Sequence, residues 1–442
     1  MTAVVLFTRD LRVHDHPALA AACRDHAAVV PLFVIDEQIL RAPTASPNRA
    51  AFLAGALADL RSSLRELGGD LMIRRGDAVA ETLRVASETR ADTVLVSSDV
   101  SAYAQRRQRR LAAEAAQAGV AVDFTPGVTV VPPGSIHPVG GNHYRVFTPY
   151  HRAWQRVTWR RVEPVPVTVP VPAGLRVGEL PAPDDLVPGE RSPQLPSGGE
   201  SAGRRLLDNV VRRVAAGEPD QDDLAGDQTS RLSPYLHLGC VSPLAAAQRL
   251  SDRAPGLTRQ LAWRDFLHQV TAAFPAIATA DYRPRATAWR HDDDALAAWR
   301  SGRTGIPIVD AGMRQLLTEG WMHNRARLIT ASFLTKTLGL DWRHGAAHFF
   351  RWLVDGDVAN NAGNWQWVAG TGNNTRPNRV LNPIRQAHRF DPDGEYVRRQ
   401  VPELAAVTGR AVHEPWRLGP AERAGLDYPT PLLDRFGSHQ HQ

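Results

Sequence analysis

Val4-Val5-Leu6-Phe7, then Pro17–Asp25, then Val29-Val30-Pro31-Leu32-Phe33-Val34-Ile35 is the stretch on which the fold turns. The two apolar runs are short, rich in β-branched residues and lack a polar face, which suits strands buried on both sides. The segment between them opens on Pro, a residue favoured in the first turn of a helix. Beyond it the pattern repeats through Arg49–Leu67, Leu71–Ile73, Ala78–Glu88, Thr93–Val96, Tyr103–Ala118 and Val120–Phe124. This order, β-α-β-α-β-α-β-α-β, predicts an α/β N-terminal domain over residues 1–130, built on a parallel five-stranded doubly wound sheet. No Gly-x-Gly-x-x-Gly follows the first strand, so the usual dinucleotide fingerprint is missing. Arg106-Arg107-Gln108-Arg109-Arg110 reads as a solvated helix face, because Glu114 follows Arg110 by one helical turn.

Glu163–Ser197 carries nine prolines and few large apolar residues, and reads as an extended linker draped over the surface. The domain division expected is therefore 1–130, a linker over 131–200, and 201–442. After residue 200 the pattern is helical, with starts such as Ser242-Pro243, and an all-α C-terminal domain is expected.

The chain has 442 residues, 43 % hydrophobic and 22 % charged, which excludes wholesale disorder. Its net charge is +6, and all but one of its 52 cations are arginine, Lys336 being the exception. Guanidinium groups match phosphate oxygens two at a time, so nucleic acid leads the candidate partners. Cys23 and Cys240 are too few for a disulfide framework or a Cys-based zinc site, and no His-Glu-x-x-His occurs, so no metal is expected. The start lacks the pattern of a signal peptide and no apolar run reaches membrane-spanning length. A cytoplasmic, soluble monomer without a membrane or an obligate protein partner is the expectation, with His439 and His441 in a disordered tail.

Eight of the eleven tryptophans fall between residues 263 and 367. They stand among polar, Gly-containing motifs: Trp263-Arg264-Asp265-Phe266, Gly320-Trp321-Met322-His323-Asn324-Arg325, and Asp355-Gly356-Asp357 through Asn361 to Asn364-Trp365-Gln366-Trp367. A single Trp is more often core than site, but ordinary helix cores do not need this mixture. Thr229-Ser230-Arg231-Leu232-Ser233-Pro234 offers hydroxyls and backbone donors at a helix start, which suits a diphosphate as well as a simple cap.

With the Phe7-Thr8-Arg9-Asp10-Leu11-Arg12 opening and the late Val412-His413-Glu414-Pro415-Trp416 and Leu426-Asp427-Tyr428-Pro429 segments, these motifs resemble the photolyase and cryptochrome family over almost the whole chain. The likeness is greatest to microbial enzymes that repair cyclobutane pyrimidine dimers. The resemblance implies an antenna domain, a helical domain holding FAD, damaged DNA as partner, and repair by an electron from light-excited reduced flavin. It assigns FAD contacts to Thr229, Ser230, Arg231, Leu232, Ser233, Leu257, Arg264, Arg327, Asp355, Gly356 and Asp357, and places Asn361 at flavin N5. An amide there imposes no charge on the cofactor. Trp365, Trp342 and Trp299 match a relay that carries an electron from the surface to oxidised flavin.

By the same resemblance Trp263 and Trp367 stack on the lesion, Gln260, Asn324 and Arg264 bond its edges, and Arg325, Arg379 and Gln386 reach neighbouring phosphates. Gln260 stands where many dimer-specific relatives have Glu and (6-4) relatives also have Gln. Asn324 stands where eukaryotic (6-4) enzymes place a His acid. Leu328 replaces a pocket Met, Gly217 a FAD-contacting Tyr, and Gln221 a phosphate-binding Arg. Repair of cyclobutane dimers is the leading reading, with (6-4) repair and cryptochrome-like signalling as alternatives. The antenna pigment is an 8-hydroxy-5-deazaflavin or a folate such as methenyltetrahydrofolate, and the Arg-rich, almost Lys-free composition favours the deazaflavin.

Overall fold

The computed structural model describes residues 1–217, 219–285 and 287–433; His439 and His441 lie outside the described residues. Strands β1 (Thr2–Phe7), β2 (Ala28–Asp36), β3 (Met72–Gly76), β4 (Thr93–Ser97) and β5 (Ala121–Thr125) form one sheet in the order β3-β2-β1-β4-β5. Every pairing is parallel. The helices begin where their caps dictate. Pro17–Asp25 starts behind His16, whose ring accepts from the Leu19 amide, and Ala78–Thr89 behind Asp77, which accepts from Ala80. Arg110 reaches Glu114 at 2.6 Å and also Asp77, so its helix face is satisfied by carboxylates.

The sheet's switch point, between the carboxyl ends of β1 and β4, is where ligands of doubly wound folds bind. Here Arg9 fills part of it, bonding Asp99 just beyond β4 at 3.2 Å.

The connecting segment differs from a strap lying only on the surface. It contains a helix, Phe147–Trp154, whose Tyr150 and Trp154 are buried. Trp154 Nε1 donates to Asp265 at 2.9 Å, tying this helix to the helix Pro255–Ala273. Further on, Val169 and Leu186 are buried, and the Pro170 carbonyl accepts from Val29 at 2.6 Å. The prolines keep the chain extended, and that extension lets it add backbone hydrogen bonds along the α/β layer.

From Glu200 onward the described chain is helical, its one β feature being an isolated bridge between Arg290 and Leu340. Ser242 caps Pro243–Leu250 through a 3.1 Å bond from Ala245. Among the described residues no helix is long and apolar enough to cross a membrane.

Candidate cofactor and DNA-lesion site

Four segments far apart in sequence converge on one cavity of about 1250 Å³, its open mouth included. Thr229–Ser233 supply one wall, Leu257, Gln260, Leu261 and Arg264 a second, Trp321, Met322, Asn324 and Arg327 a third, and Asp355, Asp357 and Asn360 the floor. Ten of the predicted cofactor residues therefore meet. Gly356 and Asn361 do not line this cavity. A Cβ on Gly356 would stand 2.6 Å from Arg49 Nη1, so this glycine admits the Arg49 side chain, which bonds the Leu353 carbonyl at 3.2 Å. Asn361 turns its amide to the Ala346 carbonyl at 3.0 Å, while its neighbour Asn360 faces the cavity and bonds Asp357 at 2.8 Å.

Charge on the floor is arranged in two carboxylates. Asp355 pairs with Arg327 at 2.8 Å through Oδ2, while its buried Oδ1 has no hydrogen-bond partner among the described residues. Asp357 caps the helix Val358–Ala369, accepting from the Asn360 amide, and pairs with Arg9. Burial works to raise the Asp357 carboxyl, but the neighbouring charges, Arg9 foremost, outweigh it and hold the group well below the ordinary range. Arg9 is a site residue that the sequence motifs do not mark. Its guanidinium spans both layers, from Asp99 to Asp357, a contact across 348 positions that no local pattern signals.

Burial keeps the cavity-wall His237 well below its usual pKa, and it pushes His268 and His323 each down to about 4, so all three are neutral near pH 7. His323 Nδ1 accepts from the Arg325 amide and thereby starts the helix Asn324–Ser332. The Ser-Pro segment begins only a short helix, Ser233–His237, without a side-chain cap. Arg231 within it has φ +49°, an unusual conformation for a non-glycine residue, fixed by ion pairs to Asp227 and Glu319 and by Trp321 under its guanidinium. Arg264 is buried and spends its donors on the Val128 and Leu236 carbonyls, which makes it a wall of the cavity more than a free lesion contact.

The lesion residues divide. Gln260 and Asn324 are exposed on the cavity wall. Trp263, one turn after Gln260, lies flat on Phe147 with centroids 3.7 Å apart and 5° between planes. Phe147 comes from the connecting segment and carries Arg259 on its ring at 4.8 Å. Trp367 and Arg379 stand on a second cleft with Ser332, Asn374 and Arg376, which shares no lining residue with the first. Gln386 presents a buried Oε1 without a partner among the described residues. Arg325 is already engaged, with Asp222 at 2.7 Å and over the Phe390 ring. Gln221 is on the cavity wall, whereas Gly217 and Leu328 are not among its lining residues.

Trp365, Trp342 and Trp299 share one hydrophobic core. Trp299 and Trp365 have ring centroids 6.0 Å apart, and Phe349 lies 4.9 Å from Trp365. A Cβ on Gly345 would come 2.1 Å from Trp365 Cη2, so only glycine lets that ring seat against the helix Trp342–Trp352, one turn from Trp342. Trp299 is fully buried, so it does not itself meet solvent. Trp289 is partly exposed and packs on the same core, next to the Arg290–Leu340 bridge that leads to Trp342. His344 and His348 stand one helical turn apart, a His-x-x-x-His spacing, and no group of three metal-ligating side chains occurs among the described residues.

The residues fit a flavin dinucleotide on chemical grounds. The floor holds a buried carboxylate oxygen awaiting a donor, a wall of hydroxyls and arginines faces it, and apolar Leu257, Leu261 and Met322 complete the lining.

Residues 3–172 match the pattern of the DNA photolyase domain and residues 257–441 that of the FAD binding domain of DNA photolyase. A deoxyribodipyrimidine photo-lyase of Streptomyces griseus is 53 % identical over 98 % of this chain and 96 % of its own length. A cryptochrome DASH of Natronomonas pharaonis is 36 % identical over 99 % of both chains. The crystal structure of a bacterial class III photolyase from Agrobacterium tumefaciens superposes with a TM-score of 0.89 at 33 % identity, covering 98 % of this chain and 94 % of that one. Identity of this order along nearly the full length, on one shared architecture, settles descent: the chain belongs to the DNA photolyase family.

Proposed function

We propose that this protein is a light-driven DNA lyase that restores pyrimidines from cyclobutane dimers, with FAD held in the cavity described above. The observation that carries the reading is the convergence of Thr229–Ser233, the Leu257–Arg264 face, Trp321–Arg327 and Asp355–Asn360 on one cavity, with an Asp355 oxygen in its floor that has no partner among the described residues. When bound and reduced, FAD supplies on excitation the electron that splits the dimer and is afterwards returned.

Thr229, Ser230, Arg231, Leu232 and Ser233 are the diphosphate and ribitol contacts in this reading. Leu257, Arg264, Arg327, Asp355 and Asp357 shape or bond the remainder of the cofactor, Gly356 acts behind them by admitting Arg49, and Asn361 becomes the neutral amide beside the flavin ring by turning from the Ala346 carbonyl. At the mouth, Gln260 and Asn324 offer uncharged donors and acceptors to thymine carbonyls and imides. Trp263 and Trp367 give aromatic faces to a flipped dinucleotide, and Arg379 and Gln386 reach the flanking phosphates. Arg325 joins them by exchanging Asp222 for a phosphate oxygen. Trp365, Trp342 and Trp299 conduct electrons when the flavin is oxidised, with Trp289 as the outward end in place of the buried Trp299.

Residues 1–130 serve as the antenna domain, 131–200 connect, and 201–442 hold cofactor and DNA. The antenna pigment is an 8-hydroxy-5-deazaflavin, with methenyltetrahydrofolate as the alternative that an absorption spectrum of the purified protein distinguishes. The protein acts as a cytoplasmic monomer without an obligate protein partner, which light scattering on the purified protein tests for oligomeric state.

Oligonucleotides carrying each lesion, illuminated with flavin reduced, test the substrate. Asn324 has no proton to give a leaving oxygen at neutral pH, so the cyclobutane dimer is expected to revert and the (6-4) product to persist. Turnover of the (6-4) product alone overturns the substrate class, and turnover of neither assigns the protein to light signalling. Binding should favour damaged DNA and weaken with salt through counterion release.

A further inference from the structure

The floor of the cavity is held from the α/β layer. Helix Trp342–Trp352 ends at the turn that delivers Asp355 and Asp357, and its last carbonyls are taken by Asn48, which bonds Trp352 at 2.5 Å, and by Arg49, which bonds Phe350 and, at 3.2 Å, Leu353. Arg9 reaches further. The turn that carries it lies so close to the helical domain that a Cβ on Gly239 would stand 2.0 Å from the Arg9 carbonyl oxygen. Its guanidinium is divided among three acceptors: Nε donates to the His237 carbonyl at 3.0 Å, Nη1 to Asp99 at 3.2 Å, and Nη2 to Asp357. One cation thus stands between two carboxylates whose side chains are 5 % and 4 % exposed. His268 adjoins them. Its Nδ1 lies 2.9 Å from the Arg264 carbonyl, which can only accept, so Nδ1 carries the ring proton. Nε2 is then a buried lone pair without a hydrogen-bond partner among the described residues, 3.7 Å from Asp357 Oδ2. The charged and titratable groups that face Asp357 and His268 are Arg9 from the turn after β1, Asp99 from beyond β4, His237 from Ser233–His237 and Arg264 from Pro255–Ala273.

We infer that Arg9 is a positioning residue of the flavin site, supplied by the α/β layer, which holds Asp357 in place as a carboxylate and keeps a proton off the His268 ring beneath the cofactor. The inference rests on the reading of this cavity as the FAD site. A carboxylate this deeply buried is costly without a cation. Arg264, the other cation facing it, gives its donors to the Val128 and Leu236 carbonyls. Without Arg9 the nearest place for a compensating charge is therefore His268 Nε2. A proton from solvent adds there, an Nε2–H bond forms opposite Asp357 Oδ2, and the group returns to one cation against two carboxylates. In the intact protein the charge of Arg9 opposes that proton. The floor then presents the cofactor with an anion fixed in place and in charge across the neutral range. Lysine is an incomplete substitute, because a point charge on a flexible stem cannot span acceptors on both layers as the planar fork does.

NMR of the FAD-loaded protein labelled with 15N-histidine, together with FAD titrations, tests this. In wild type the His268 signals should be those of a neutral ring protonated at Nδ1, unchanged from pH 8 to pH 6. In Arg9→Met they should become those of an imidazolium across this window, and FAD should be held about tenfold more weakly or worse, the scale of losing a hydrogen bond to a charged group. Arg9→Lys should keep the ring neutral and recover only part of the affinity. Asp99→Asn breaks the same bridge at its far end but leaves Arg9 on Asp357, so ring and affinity should both stay as in wild type. Arg9→Met with Asp357→Asn removes the orphaned charge, guards against a folding failure of the single variant, and should return the ring to neutral. A ring that stays neutral in Arg9→Met, or wild-type FAD affinity there, overturns the role of Arg9. Asp99→Asn matching Arg9→Met in both readouts also overturns it, since Arg9 would then only dock the layers. A wild type that takes up no FAD overturns the cavity reading and this inference with it.

Discussion

Replacing Arg327 with Ala removes the only cation bonded to Asp355 among the described residues and leaves a carboxylate whose side chain is 3 % exposed. The pair is close, 2.8 Å, and the second carboxylate oxygen already lacks a donor among the described residues. Breaking a buried pair from one side costs roughly 3–5 kcal/mol, and because the Arg327 side chain is itself 25 % exposed the lower end, about 3 kcal/mol, applies here. At about 1.4 kcal/mol per tenfold, that is on the order of a hundredfold in the equilibrium that keeps the floor of the cavity formed. For the helical domain it corresponds to a melting temperature lower by roughly 6–12 °C. The assays are flavin released per mole of protein on denaturation and melting followed by tryptophan fluorescence. Asp355→Asn in the Arg327→Ala background separates charge from shape: neutralising the orphaned group should recover most of the lost melting temperature without recovering flavin. Full flavin occupancy and an unchanged melting temperature in Arg327→Ala would refute the reasoning, since the Asp355 charge would then be solvated despite its burial.

Trp365→Phe should keep FAD bound and keep repair when the flavin is supplied reduced, but lose photoreduction of oxidised flavin; ordinary photoreduction in the variant removes Trp365 from the relay. Phe147→Ala should retain flavin and weaken binding of dimer-containing DNA by about three- to tenfold, the worth of one aromatic stack, because Trp263 loses the ring that fixes its plane; equal affinity would show that Trp263 needs no such backing. Acid should destabilise the protein as pH falls from 6.5 towards 4. Over that range the unfolded chain takes up protons that buried His323, at about 4, refuses, a loss on the order of 3 kcal/mol for this group, with His237, His268 and His348 acting in the same direction. Stability from this source is complete above pH 6.5, and His323→Asn, which can still cap its helix, should flatten the decline; an unaltered slope in denaturant titrations across this window would exclude His323.

The parallel sheet and its helices were legible in the sequence because their determinants are local. Pro17–Asp25 falls where Pro in the first turn and the apolar spacing put it, and β1, β2 and β4 are apolar runs of the right length, while the edge strands β3 and β5 are apolar only in part. The cavity's floor and walls were legible for another reason: Thr229–Ser233, Asn324, Arg327 and Asp355–Asp357 lie in compact motifs whose residue types betray polar work inside a helical domain. Contacts that depend on which elements pack together were not. Arg9 meeting Asp357, Phe147 lying under Trp263, and Asp281 accepting from Trp342 join residues with no periodic relation, drawn from a strand end, a connecting segment and a loop. The burial of Trp299 is of the same kind. A tryptophan on a short helix reads alike whether its indole faces solvent or a neighbouring helix, and only the packing of Asp293–Ser301 against the central core decided that it faces inward. Sequence by itself determined the elements and the chemistry each carries, through spacing and side-chain type. Tertiary structure decided which of those groups touch and which reach solvent, because contact and exposure are properties of the packed assembly and not of any one segment.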